Sequence, residues 1–207
     1  MTAPAQSLLL RPEGSFGELV DGSKEARALR QIFWMFASVV LLGVAALSVS
    51  LVRGDASFGI ARLWERLAGP ADLGPVDFTA SRRSPTGNDA LFCPARVCGA
   101  AAVDGVAPVF AVPAARLREA VRQIEAGDVD VSLLALDDAK MQDRYLARTA
   151  LMRFPDTINV RFIDLGERST LALHSRSQLG SKDFGVNRAR MEDWVRQLRE
   201  RLPVAPE

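Results

Sequence analysis

The feature that most constrains this chain is a run of 21 residues, 32–52, without a charged side chain. A helix of that length spans roughly the 30 Å hydrocarbon core of a bilayer. We therefore predict a transmembrane helix at residues 32–52, which contacts membrane lipids, and an N-terminal tail at residues 1–31. The alternative is a cleavable signal peptide, whose apolar core is usually about 7–15 residues long and lies near the N-terminus. Here 31 residues, among them Glu13 and Glu18, precede the run, which favours an uncleaved anchor.

The charges around the run do not orient it in the membrane. Basic residues lie on both sides: Lys24, Arg27 and Arg30 before the run, and Arg53, Arg62 and Arg66 after it. The excess of basic residues that marks a cytoplasmic flank is therefore absent. The orientation has to come from another feature of the chain.

Both cysteines of the chain lie in the segment C-P-A-R-V-C at residues 93–98. A zinc site needs about four ligands, and His174 is the only imidazole, so we expect no metal. A disulfide between Cys93 and Cys98 in an oxidising compartment is favoured, and two buried free thiols are the alternative. The disulfide places the C-terminal domain outside the cytoplasm and therefore predicts a single-pass protein with a cytoplasmic N-terminus.

Charge and motifs exclude several functions. The chain has 26 basic and 25 acidic residues, so it lacks the positive charge of a nucleic-acid-binding module. It contains no phosphate-binding loop, and we expect no cofactor. A Ser-His-Asp arrangement would need His174, but the adjacent Ser175 points to the opposite face of its strand. We therefore predict no catalytic residues and a non-enzymatic protein.

Residues 53–88 are interpreted as an interfacial helix followed by a linker. An apolar stripe predicts a short helix, which either lies at the membrane surface with Trp64 in the interface or packs on the domain; the stripe consists of Phe58, Ile60, Leu63, Trp64 and Leu67. Gly69 and Pro70 end this helix. Residues 71–88, rich in Pro, Gly and Ser, are predicted to be a linker, and the folded domain is predicted at residues 89–207.

The domain pattern predicts an α+β fold. Pro113 starts a helix in which Leu117, Val121 and Ile124 form an apolar stripe, and Gly127 ends it. Strands are predicted at 129–136, 145–154, 157–165 and 169–178, and short turns between the last three predict an antiparallel meander. A last helix buries Met191, Trp194, Val195, Leu198 and Leu202. We expect two layers, an antiparallel sheet of about four strands with two helices covering one face.

A polar corner is predicted between the last strand and the last helix. Strand alternation places Leu171, Leu173, Ser175 and Ser177 on the face toward the helices. Asn187 precedes Met191 by four residues and shares its helix face. Asp183 is a candidate N-cap. These residues converge at the start of the last helix, where they lock helix to sheet.

The opposite face of the sheet carries a second candidate site. We predict an anion-binding or partner-binding set near one end of this face, whose alternative is a solvated surface; the set consists of Arg161, His174, Arg176, Lys182, Arg188 and Arg190.

Several of these residues resemble the signature of a known family. The segments S-R-S-Q-L-G at 175–180 and D-F-G-V-N-R-A-R at 183–190 are similar to the bacterial and plastid family of domain of unknown function 1499. The segments C-P-A-R-V-C at 93–98 and M-R-F-P-D at 152–156 are similar to it as well. Members of this family are often exported or membrane-attached, so the resemblance implies such a location and no known activity. Together with the predicted anchor and disulfide, it implies a protein of the bacterial inner membrane with a periplasmic C-terminal domain.

Two functional hypotheses follow from the sequence. The first is a membrane-anchored accessory or assembly subunit, whose extracytoplasmic domain binds or supports a larger inner-membrane protein assembly. The alternative is a domain that binds an anionic small ligand or a lipid headgroup. An enzyme is the third and least supported reading.

Overall fold

The computed structural model describes residues 22–53, 59–80, 82–95 and 97–206. The chain divides into two compact units, Met1–Leu47 and Ser48–Glu207. The predicted cytoplasmic tail at 1–31 lies mostly outside the described residues, which begin at Gly22.

In the first unit, the described residues belong to the apolar helix. Helix α1 (Gly22–Arg53) contains the segment Leu29–Val49, whose mean hydropathy is 2.4 and none of which is buried in the protein. Among the described residues it is the one helix long and apolar enough to cross a membrane. The length and composition of α1 are those of a membrane anchor, and a signal sequence near the N-terminus meets the same two criteria.

The second unit is an α+β domain, as the sequence predicts. Its elements are α2 (Ile60–Ala68), a 3₁₀ turn (Phe78–Ala80), β1 (Asp89–Phe92), α3 (Ala114–Ala126), β2 (Val131–Asp137), β3 (Gln142–Arg148), β4 (Pro155–Asp164), β5 (Ser169–Ser177) and α4 (Val186–Arg201). All strand pairs are antiparallel, and the spatial order is β1-β5-β4-β3-β2.

The sheet has five strands rather than the expected four. The additional strand is β1, which has only four residues and pairs with β5. The predicted strand at 145–154 is also displaced, because β3 starts at Gln142 and ends at Arg148. Residues after Arg148 form a turn in which the N–H of Arg153 donates to the carbonyl of Thr149.

Helices α3 and α4 cover the first face of the sheet. The predicted stripe of α3 is buried there, and so is that of α4. Trp194 meets Tyr145 of β3 edge-to-face, with ring centroids 5.6 Å apart, an arrangement that adds to the area the two rings bury.

The second face of the sheet is covered by the segment that the sequence assigned to a linker. Residues 71–76, which we call the strap, have no regular secondary structure and are hydrogen-bonded to β4. Thr157 Oγ1 accepts from Leu73 N at 3.0 Å and donates to Ala71 O. Asn159 accepts from Val76 N at 3.2 Å and donates to Gly74 O. Residues 59–88 thus contribute to the folded unit, and the boundary predicted at residue 89 divides a packed structure.

A second apolar cluster lies beyond the strap on the same face. Phe78, fully buried, packs with Leu91, Ala172 and the two cysteines. Cys93 and Cys98 form a disulfide with Cα atoms 6.2 Å apart, so the disulfide alternative is the one adopted.

Helix α2 packs on the domain through Trp64. The Trp64 ring lies 5.0 Å from the ring of Phe154, and its Nε1 donates to Met152 O at 2.7 Å. Glu65 receives a hydrogen bond from Arg148 of β3. Of the two alternatives for Trp64, packing on the domain is the one adopted. Phe58, predicted in the same stripe, lies outside the described residues.

Phe78 follows the strap closely in sequence and is fully buried. Its burial therefore tests whether residues 71–80 belong to the domain. Replacing Phe78 by Ala removes a fully buried ring, so we expect the free energy of unfolding to fall by about 3–5 kcal/mol. Urea denaturation of the full chain in detergent, followed by tryptophan fluorescence, measures this change. The matched control is Phe184→Ala, because Phe184 is 94% exposed; its effect should stay within about 0.5 kcal/mol. A Phe78→Ala protein as stable as the control would show that residues 71–80 are a linker.

Candidate functional site

The predicted polar corner is assembled in the structure. Asn187, fully buried, accepts a hydrogen bond from Ser175 Oγ and donates to Ser177 Oγ at 2.9 Å. Both serines lie on the helix-facing side of β5, where alternation predicts them. The corner connects α4 to the sheet through side chains that have their hydrogen bonds satisfied, as buried polar groups generally require.

Three further residues complete the corner, and the sequence did not assign them to it. Asp156 accepts from Ser177 Oγ at 2.6 Å and from Arg190 Nη2 at 2.8 Å. Arg190 also donates to Asn187 Oδ1 at 3.0 Å. Asn88 donates to the carbonyls of Ser177 and Gly180. Asp156 lies between the strands predicted at 145–154 and 157–165, and in the structure it belongs to β4. Its two-residue spacing from Ile158 was the signal that could have placed it on the helix-facing side.

Asp183 stabilises the start of α4, as the sequence predicts, but it lies two residues before the N-cap position that was expected for it. Helix α4 begins at Val186, and Gly185 occupies its N-cap position with a φ of 83°, a left-handed conformation that glycine adopts without steric cost. The Asp183 carboxylate accepts from Gly185 N at 3.1 Å and Asn187 N at 3.0 Å. Two N–H groups at the helix start thereby gain acceptors, which the free end of a helix needs.

The second predicted site is not assembled as one cluster. Arg190 belongs to the polar corner on the helix-facing side, and Arg188 is exposed and pairs with Glu192 at 2.9 Å. Arg161 lies opposite Ala172 in the sheet, so Arg176 is four residues further along β5, roughly 13 Å away. Lys182 is exposed in the loop before α4. The prediction of one cationic set is therefore wrong, since two of its members, Arg190 and His174, pair with buried carboxylates inside the domain.

His174 is buried rather than solvated. Its Nε2 lies 3.2 Å from Asp89 Oδ2, and its Nδ1 is buried without a partner among the described residues. Burial acts to raise the pKa of Asp89, but hydrogen bonds from His174 and from Arg83 outweigh it and hold that pKa well below its usual range. No hydroxyl completes a triad at Nδ1 in the described part of the chain, so this pair is a buried link between β1 and β5.

A second buried charge network lies between α3 and β3. Asp143 is fully buried and receives a bidentate hydrogen bond from Arg118, which also reaches Asp138. Tyr145 donates to the same carboxylate at 3.2 Å. Burial raises the pKa of the Tyr145 phenol, and the charge of Asp143 raises it further. The phenol therefore stays protonated and keeps its donor role in the network.

An open cleft lies between the strap and the β2–β3 turn. Its volume is about 900 Å³, and Val76, Phe78, Ala135, Leu136 and Arg161 contribute to its walls. Charges of both signs surround it, because Asp77 and Asp137 line it together with Lys140 and Arg144. The cleft therefore has no electrostatic preference for an anion.

Strand β2 presents an apolar edge to solvent. Leu133, Leu134 and Leu136 are 41%, 37% and 46% exposed. On its outer side no strand of the described chain pairs with β2, and a bulge interrupts its register between Leu133 and Ala135. A bulge disturbs the ladder and hinders indiscriminate strand addition. The edge therefore offers leucine side chains rather than a regular backbone template.

The comparisons with known proteins identify the C-terminal region. Residues 106–198 match the model of the family described as protein of unknown function (DUF1499). This region is a DUF1499 domain. The match starts before α3 and ends within α4, so it contains the edge of β2 and, except for Asn88, the polar corner. Cys93 and Cys98 lie outside the matched DUF1499 residues, although the folded unit includes them. No curated protein and no solved structure matches the chain.

The polar corner predicts a sharp difference between two adjacent residues. Asn187→Ala leaves Ser175, Ser177 and Arg190 without their central partner, and we expect a loss of at least about 2 kcal/mol in the free energy of unfolding. Arg188→Ala removes only an exposed ion pair and should leave the free energy of unfolding nearly unchanged. Thermal and urea unfolding of the two full-length variants measures the difference. Equal stability of the two would contradict the role assigned to Asn187.

Proposed function

We propose that this chain is a single-pass, membrane-anchored protein whose domain docks on a larger inner-membrane protein assembly without catalysing a reaction. The observation that carries the proposal is the exposed leucine edge of β2. Surfaces that remain apolar beside a polar rim mark interaction sites in proteins whose cores are complete.

The edge has the composition of a small docking surface. Its three leucines lie next to one another, and two carboxylates, Asp128 and Asp137, flank them along the chain. Asp137 Oδ2 lies 3.7 Å from Lys140 Nζ. This ion pair is exposed to solvent and therefore weak. A partner that matches this edge presents apolar side chains between basic residues, since apolar contacts supply affinity and opposite charges fix the orientation.

The rest of the domain supports docking by holding this edge in place. Strand β2 is paired along its length with β3, and β3 is held from both faces, by Arg118 and Trp194 on one side and by the strap on the other. A surface fixed before binding loses little conformational entropy when a partner arrives.

Enzymatic and anion-binding readings have weaker support. The single histidine is buried beside Asp89 and makes no contact with a hydroxyl in the described residues. The six predicted side chains of the anion site lie on β4, on β5, in the loop before α4 and on α4, and they do not form one cluster. The cleft beside Arg161 has charges of both signs.

The docking proposal predicts the behaviour of two charged variants. The double variant Leu133→Lys/Leu136→Lys places ammonium groups in the apolar contact, so the full chain should migrate as a monomer in native electrophoresis after gentle detergent extraction. The control is Leu165→Lys in the β4–β5 turn, where Leu165 is 46% exposed, as Leu136 is; this variant should retain the larger assembly. Wild-type protein that migrates only as a monomer would refute docking.

The proposed location is tested with the two cysteines. If the domain lies outside the cytoplasm and the disulfide is closed, a membrane-impermeant thiol reagent should label intact spheroplasts only after reduction. Cys93→Ser/Cys98→Ser serves as the unlabelled control. Labelling that requires lysis, even after reduction, would place the domain in the cytoplasm.

A further inference from the structure

Helix α2 has an apolar stripe that is wider than the surface that covers it. Apolar residues occur at Ile60, Leu63, Trp64 and Leu67, the spacing of one helix face. The domain covers Ile60 and Trp64 in part, but Leu63 is 47% and Leu67 is 69% exposed. Half of the stripe is therefore left in contact with solvent.

Basic residues border this uncovered half. Arg62 and Arg66 are four residues apart, as are Leu63 and Leu67, so the two pairs lie side by side on the exposed side of the helix. Arg62 pairs with Glu65 at 2.9 Å, whereas Arg66 makes no ion pair with any of the described residues. Leucines beside arginines are the pattern of helices that lie in the interface of an anionic bilayer.

The turn between β3 and β4 extends the apolar surface. Trp64 donates to Met152 O, which places this turn beside α2. Leu151 is 73% exposed and Met152 37%. Four apolar side chains from two elements, Leu63, Leu67, Leu151 and Met152, are thus uncovered in one region of the domain.

Chain length restricts what can cover this surface. Helix α1 ends at Arg53 and α2 begins at Ile60, so six residues connect them, a distance of at most about 20 Å when fully extended. If α1 spans the membrane, α2 must start close to the headgroups. The lipid surface is then within reach of α2, whereas a protein partner would have to enter the narrow space between α2 and the bilayer.

We infer that the exposed side of α2, with Leu151 and Met152, seats the domain on the anionic surface of the bilayer. The leucines enter the boundary between headgroups and acyl chains, and Arg62 and Arg66 contact lipid phosphates. This inference rests on the membrane anchoring proposed above and is independent of docking by β2. Seating by this surface sets the orientation of the domain toward the membrane.

Spin labels on the reconstituted full chain test the inference. A label at Leu63→Cys is compared with one at Leu133→Cys, since the two leucines have similar exposure and the native cysteines are joined. In nanodiscs that contain phosphatidylglycerol, we expect the label at 63 to be accessible to oxygen and shielded from a water-soluble nickel complex. The label at 133 should be accessible to the nickel complex. A label at 63 that is as accessible to the nickel complex as the label at 133 would overturn the inference and favour a protein partner for α2.

The charge of the lipid gives a second readout. Discs of phosphatidylcholine alone should reduce the shielding of the label at 63. The variant Arg66→Gln should lower the ratio of seated to unseated domain about fivefold, the effect of one cation near an anionic surface. The control Arg116→Gln, on the exposed side of α3, should leave it unchanged. Shielding that is the same in both lipids and in both variants would overturn the role of charge.

Extraction with alkaline carbonate separates this inference from the anchoring on which it rests. Wild-type chain released by carbonate refutes the anchor, and the seating with it. Chain that stays in the membrane while the label at 63 remains aqueous refutes the seating alone.

Discussion

Hydrogen bonds between the strap and the second face of the sheet allow that face to be buried, and the packing of the rest of the domain depends on them. Thr157 and Asn159 are polar residues in the middle of β4, on the face away from α3 and α4. They are buried at acceptable cost only because the backbone of residues 71–76 supplies their donors and acceptors. Gln142 makes the same kind of contact from β3, to Val76 O. With the strap in place, an otherwise solvated face becomes an interior one, in which Phe78, the disulfide and His174 are all buried.

The interior and the surface of the domain differ in how completely their side chains are partnered. Inside, carboxylates such as Asp143 and Asp156 each receive bonds from an arginine and from a hydroxyl group, so the charges are paired and held in place. Outside, the edge of β2 and one side of α2 keep their leucines uncovered. The docking role proposed for this domain draws on this contrast, in which buried carboxylates are paired and exposed leucines are left without a partner.

Local periodicity made much of this fold predictable. Alternation along β5 assigned Leu173 and Ser175 to the helix-facing side, and the four-residue spacing of Asn187 and Met191 located the polar corner. The strap was not predictable in this way, since its bonds join residues more than 80 positions apart and its Pro and Gly content is that of a linker. Arg190 was misassigned for a related reason: its charge is visible in the sequence, but its partner Asp156 is a neighbour only after β4 and α4 have met.

The strap also has a consequence for the order in which the chain can fold during synthesis. Leu73 reaches its partner Thr157 across 84 positions, and Asn88 reaches Ser177 across 89. The N-terminal pieces of the domain, from α2 to β1, are therefore made long before the strands that bind them. Contacts of such sequence separation form slowly, and apolar groups such as Phe78 stay uncovered until β4 and β5 exist. Biogenesis must protect this early half of the domain for the time needed to synthesise roughly a hundred more residues, at about 5–20 residues per second.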